Sequence, residues 1–491
     1  MKNILLLKFK LFSAILFLLC LFSLIFIKEA KAYDPPIGIP DPSMWGTTHP
    51  IDSSALDTVT KCPVWPSGET ANCYYIDNTH PQATDTGNLY GYPDKPRAAV
   101  SAGTYAAGAY IEVHGGPYPT QTIMTMNGTS EAPIWFRGAS SQNKPIFKAK
   151  LSFPDSSYLF MENLEFSNIT GLVVNFSSMN AHHIVLRNSY FHDMIYPGSS
   201  ASVINATPSQ DGSIHDVIFY NNNFHIIGDW NALADDDYHC INPTLWGRHP
   251  DTTIHNFWVL NNIADQVSGN LVQFNGDQRD ATVGDSEIPI RLITNSNMQN
   301  SHHHYIGRNI MHHSRQDISS QKFSTDVIVS QNYGYDNYNH ASSGASGEVY
   351  QEGANYVWFL FNRFNNQDWG IRQSNTNFLT PNGDALTGIP SEKLADLHMY
   401  AIGNLIEYSH DTVTDSYTSA FLRNHSFKNM QAFCSERGWY TRHIVDNTIY
   451  NTGGGFNFTN DNAITRLSGN VIAGVHGFDM YGLPEYHGSF F

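Results

Sequence analysis

The stretch HYIGRNIM, His304 to Met311, returns 23 residues later as VIVSQNYG, Val327 to Gly334, with asparagine in the same place each time. Apolar residues alternate with others before Asn309 and Asn332, and an apolar or aromatic residue follows. The same phrase is written around Asn163, Asn188, Asn222 and Asn262 and again around Asn362, Asn404, Asn447 and Asn470. The closest steps are 23 to 25 residues, and the longer ones carry insertions. A fixed minimum period with variable insertions belongs to a solenoid.

Period-two alternation makes each copy a strand with one buried face. Such a strand is too short to stand alone, so its edges must be paired by the next turn of chain. The asparagine fits a tight bend that tolerates left-handed backbone, and its amide can bond to the asparagines above and below. The expected fold is all-β, a single-stranded right-handed parallel β-helix with an irregular N-terminal extension. Charged residues at 14% and aromatics at 13% agree with stacked strands and turns and not with a helical protein. A solenoid grows coil by coil, so residues 96–491 read as one elongated domain.

Lys2, Lys8 and Lys10 precede an apolar run from Leu11 to Ile27, and Ala30-Lys31-Ala32 supplies a small-x-small cleavage pattern. Residues 1–32 are therefore read as a signal peptide, with a secreted or periplasmic product and no membrane span after its removal. Removal leaves 22 basic and 43 acidic residues, a net charge of about −21. That balance disfavours nucleic acid as a partner and requires a local basic site or bound divalent cations for any acidic polysaccharide. Residues 33–95 lack the repeat; Cys62 and Cys73 there flank a short turn-rich loop and are expected to form a disulfide. Cys240 and Cys434 are read as buried apolar residues.

The run GTSEAPIWFRG (128–138), followed by SYLFMENLEFSN (157–168) and the asparagine strands, resembles the pectate-lyase-like β-helix superfamily, and most of all its alginate and dermatan (chondroitinase-B-like) lyases. The resemblance implies polysaccharide cleavage by β-elimination, with a lysine and an arginine on one sheet and calcium held by nearby acidic and amide side chains. The superfamily also contains glycoside hydrolases and adhesins, and both stay open as alternatives.

After each asparagine strand a second strand is expected, and its outward side chains should form a file. The middle coils place His239, Gln273 or Asn275, Lys322, Glu352, Arg372 and Arg423 on that file. Lys322 and Glu352 each lie five residues before a valine that opens an asparagine strand, Val327 and Val357, so they should be stacked neighbours. Eliminating a uronic acid residue needs a neutralised carboxylate, a base for the C5 proton and an acid for the leaving oxygen. His239, Lys322, Glu352 and Arg372 are the expected catalytic set. Gln273, Asn275, Arg423, Trp246 and Trp369 are the expected substrate contacts, with Trp230 a further stacking surface. Asp235, Asp236, Asp237, Asp277 and Glu348, with Glu352, are the oxygen ligands expected for calcium. The DDDYH run at 235–239 also resembles the paired carboxylates of β-helix hydrolases. His302, His303 and His304, and the pair His312 and His313, are read as solvated or partly buried, because neighbours on a strand alternate faces.

Overall fold

The computed structural model describes residues 72–232, 237–245, 251–276, 300–337, 349–352, 354–367, 369–374, 397–407, 431–438, 440–450, 456–461, 464–473 and 480–481. Among these residues all strand pairing between coils is parallel and builds three sheets of 13, 11 and 13 strands. The chain enters each coil on the asparagine strand (sheet I), continues on a short strand (sheet II) and then on a third (sheet III). One coil runs through Thr253–Leu260, Ile263–Val267 and Val272–Asn275 before the next begins at Ser301–Gly307. The architecture is a parallel β-helix. Two strands per coil are expected from the sequence; sheet II is a third, whose central members bury only their second and fifth residues because a left-handed residue at the fourth (Ile226, Gln266, His313) interrupts the alternation that marks a strand. Sheet I takes its first strand from Asn72–Asp77, inside the segment read as an extension.

The bend between sheets I and II divides the asparagine's two expected tasks between neighbouring positions. Positive φ falls on Asn163, Asn188, Asn221, Asn261, Arg308, Gln331, Phe361, Gly403, Asp446 and Gly469. The ladder is formed by the residue after each of these. Asn222 Nδ2 donates to Asn262 Oδ1 at 3.1 Å, and the links continue through Asn309, Asn332, Asn362, Asn404 and Asn447 to Asn470 at 2.8–3.1 Å. Each amide also donates to a strand carbonyl, as Asn309 does to Val259 O at 2.8 Å, and accepts a backbone N–H from the coil before. Asn163 and Asn188 are thus bend residues and not rungs; Leu164 and Ser189 hold the rung position in their coils, with Ser189 N donating to Asn222 Oδ1 at 3.0 Å.

The core is a column of stacked side chains. Phe147, Phe166, Phe191 and Phe224 pack ring on ring with centroids 4.9–5.3 Å apart. Trp258 and Trp358 pack on the outer face of sheet I, in a row with Trp135, Phe160, Val185, Ile218 and Ile328. Among the described residues no helix is long and apolar enough to cross a membrane. Cys240 is free and fully buried in the core, which pushes its thiol pKa up. Cys73 is disulfide-bonded; Cys62, its expected partner, lies outside the described residues, as does the segment 1–32.

Candidate functional site

Sheet III positions the expected file. Its middle strands are Tyr238–Pro243, Val272–Asn275, Ser319–Lys322, Val349–Glu352 and Trp369–Ser374. Register fixes Lys322 opposite Glu352, as the sequence spacing required, and places Asn275, not Gln273, opposite Lys322. Arg372 is displaced from the expected file by two residues: it pairs with Tyr350, while Glu352 pairs with Ser374. Two residues is one full strand period, so Arg372 keeps the same face and stands in the adjoining row.

The outer face therefore carries two parallel rows. One holds Gln273, Ser320, Tyr350 and Arg372, and the other Thr244, Asn275, Lys322, Glu352 and Ser374. Between them the inward positions Phe274, Gln321, Gln351 and Gln373 are buried. Gln373 Nε2 donates to Gln351 Oε1 at 3.1 Å, and the fully buried Arg442 donates Nε–H to Gln373 Oε1. A polar, hydrogen-bonded interior thus lies directly under the charged part of the face and locks its backbone.

Arg372 lies with its guanidinium carbon 4.7 Å from the centroid of the Tyr350 ring. That cation–π contact holds the group against the Tyr350 ring. Toward the preceding coil the face becomes neutral and rich in amides. Asn270 Nδ2 donates to Gln273 Oε1 at 3.0 Å, Gln273 Nε2 to Asn275 Oδ1 at 3.2 Å, and Asn275 Nδ2 to Asn242 Oδ1 at 3.0 Å. The arrangement offers cations beside a band of oriented amide donors and acceptors, the combination that recognises an acidic group flanked by hydroxyls.

His239 does not stand on this face. The alternation breaks after it, because Cys240 and Ile241 both point into the core, and His239 is 1% exposed. Its Nδ1 accepts the Asn270 N–H at 3.0 Å, so it supports the loop from which Asn270 reaches Gln273. Asp237, expected as a calcium ligand, has Oδ1 2.6 Å from Nη2 of the fully buried Arg315 and also accepts from Gln316. A carboxylate neutralised in this way does not fit the anchor of a calcium site. Asp235, Asp236, Asp277, Glu348, Trp246 and Arg423 lie outside the described residues, and of Glu352 and Trp369 only the strand positions are described. Trp230 packs 5.3 Å from the His313 ring, on the sheet II side.

The histidine runs behave differently from simple alternation. His304 is buried in the core, while His302 and His303 both face outward because His303 has φ +57°. His302 closes a stack of imidazoles with His182, His215 and His255, centroids 4.7–5.2 Å apart. These four share one offset, seven residues before the rung position, a signal present in the sequence itself.

No protein-family model and no curated protein matches the chain. Solved structures do resemble it. The A-module of mannuronan C-5 epimerase AlgE4 from Azotobacter vinelandii is 13% identical, with a TM-score of 0.38 over 79% of this chain and 91% of that one. A PL6 alginate lyase in complex with a trisaccharide is 12% identical, with a TM-score of 0.44 over 86% and 82%. PfbA, a surface adhesin of Streptococcus pneumoniae, is 10% identical, with a TM-score of 0.41 over 77% and 82%. This chain is a parallel β-helix protein. Proteins that share this fold differ in activity.

Proposed function

We propose that this protein is an exported lyase that binds a uronic-acid-containing polysaccharide along the outer face of sheet III and cleaves it by β-elimination. The observation that carries the reading is the juxtaposition of Lys322, Glu352 and Arg372 on one face, with amides on the flanking coil. Arg372 neutralises the substrate carboxylate and so acidifies the C5 proton. Lys322 in its amine form removes that proton, the C4–O bond breaks as the C4–C5 double bond forms, and Glu352 in its carboxylic-acid form, one rung away, protonates the departing oxygen; proton transfer from the Lys322 ammonium to the Glu352 carboxylate resets the pair. Gln273 and Asn275 hold the hydroxyls of the neighbouring sugar. No step is routed through calcium.

Incubation with alginate, pectate and glycosaminoglycans, with and without calcium, tests the reading. The expected outcome is ultraviolet absorbance from an unsaturated uronate end. New reducing ends without that absorbance would establish a hydrolase, and binding without cleavage an adhesin.

A further inference from the structure

The outer face of sheet II carries a row three residues beyond each rung position: His192, His225, Asp265, His312 and Tyr335. His313 would turn away from this row on a regular strand, but its φ of +50° brings its ring to the same side. His312 Nδ1 and His313 Nδ1 lie 2.9 Å apart, and each is 3.0 Å from Asp265 Oδ1. Three polar atoms form a closed triangle. His225 Nδ1 is 3.0 Å from the other carboxylate oxygen, Oδ2.

Protons alone do not satisfy that triangle. If both Nδ1 atoms carry hydrogen and donate to Oδ1, the contact between the two nitrogens sets donor against donor. If one Nδ1 is bare, its lone pair faces the lone pairs of Oδ1. Either assignment leaves one repulsive edge. A cation bound to all three lone pairs removes the conflict. At metal–ligand bonds of about 2.05 Å, edges of this length subtend angles close to about 90°, as three facial positions of an octahedron do.

We propose that Asp265 Oδ1, His312 Nδ1 and His313 Nδ1 bind a divalent first-row transition-metal ion, with His225 orienting the carboxylate through Oδ2. Two imidazole nitrogens and one carboxylate favour such an ion over calcium or magnesium, which take oxygen. Tyr335 stacked on His312 at 4.6 Å and Trp230 against His313 hold the rings in place. The second histidine–aspartate group lacks this closure: Asp216 Oδ2 is 2.7 Å from His215 Nδ1 but 3.8 Å from His183 Nδ1. The ion would join strand Ile263–Val267 to Ile310–Ser314, clipping the coil that carries Gln273 and Asn275 to the coil that carries Lys322.

Titration of the metal-stripped full chain with Co²⁺ tests this. The expected result is a visible d–d band that saturates at about one equivalent, is displaced by Zn²⁺ and is unaffected by Ca²⁺. His312→Ala and His313→Ala abolish the band with unchanged far-ultraviolet circular dichroism, and His183→Ala retains it. Zn²⁺ raises the Tm of the wild type by several degrees and leaves that of the two variants unchanged. If those variants fail to fold, His225→Gln, which only loosens the carboxylate, lowers Co²⁺ affinity about tenfold. No saturable band in the wild type overturns the proposal, as does unaltered binding in the folded variants or in His225→Gln.

Discussion

Lys322 stands directly opposite Glu352 across one rung of sheet III, with Arg372 on the same face in the adjoining row. Thirty residues separate the first pair in sequence, yet the stacking of coils places their backbones about 4.8 Å apart. Lys322→Ala is expected to lower kcat by about 10²–10⁴ with little change in KM, as loss of a general base does. Arg372→Ala is expected to cost about 10²–10³. Steady-state kinetics on the substrate identified by the polysaccharide panel measure both.

The asparagine ladder predicts a stability effect independent of any activity. Asn309→Ala removes one amide from the middle of the file and orphans the Asn262 N–H, while Asn262 Nδ2 keeps Phe219 O and Asn332 Oδ1 keeps the Asn309 N–H. About 1–3 kcal/mol of destabilisation is expected for each buried group so orphaned. Asn188→Ala, at a bend position and outside the ladder, costs less. Urea unfolding of the two variants compares them directly.

Acid should weaken the fold through the imidazole stack. Burial first, and the neighbouring imidazoles second, lower His255 and His302 to about 4. Their ordinary value is about 6.5, so between those limits the unfolded chain binds protons that the fold does not. Stability is therefore lost as pH falls from about 6.5 to about 4, and the loss levels off below. Replacing both histidines with glutamine flattens this acid limb in a plot of Tm against pH.

Gly276 follows Asn275 and donates its N–H to Lys322 O at 2.7 Å. A Cβ there would meet Phe323 O at 1.8 Å, which only a shift of the strand carrying Lys322 can relieve. Gly276→Ala is expected to lower both Tm and kcat, the second through displacement of Lys322, whereas a change confined to stability would separate this close approach from the site.

The repeat was legible because every coil must solve one packing problem at one bend, and the Lys322–Glu352 register followed from counting back five residues from Val327 and Val357. Arg372 escaped that count because the span to its own next asparagine strand, at Leu397–Ile402, carries a long insertion. His239 was misplaced because two successive core residues, Cys240 and Ile241, break the alternation on which the file was built. The same alternation rule sends His312 and His313 to opposite faces, and the left-handed backbone at His313 suspends it. Their offset of three and four residues from Asn309, matched by Asp265 three residues from Asn262, was the signal that pointed to sheet II.

The most direct test of the lyase reading is a crystal structure of the Lys322→Ala variant with a bound uronate oligosaccharide. The expected result is a sugar chain on the outer face of sheet III, one carboxylate against Arg372 and the C5 hydrogen of that uronate facing position 322. An oligosaccharide seated on another face, or on this one with its carboxylate turned away from Arg372, would contradict it.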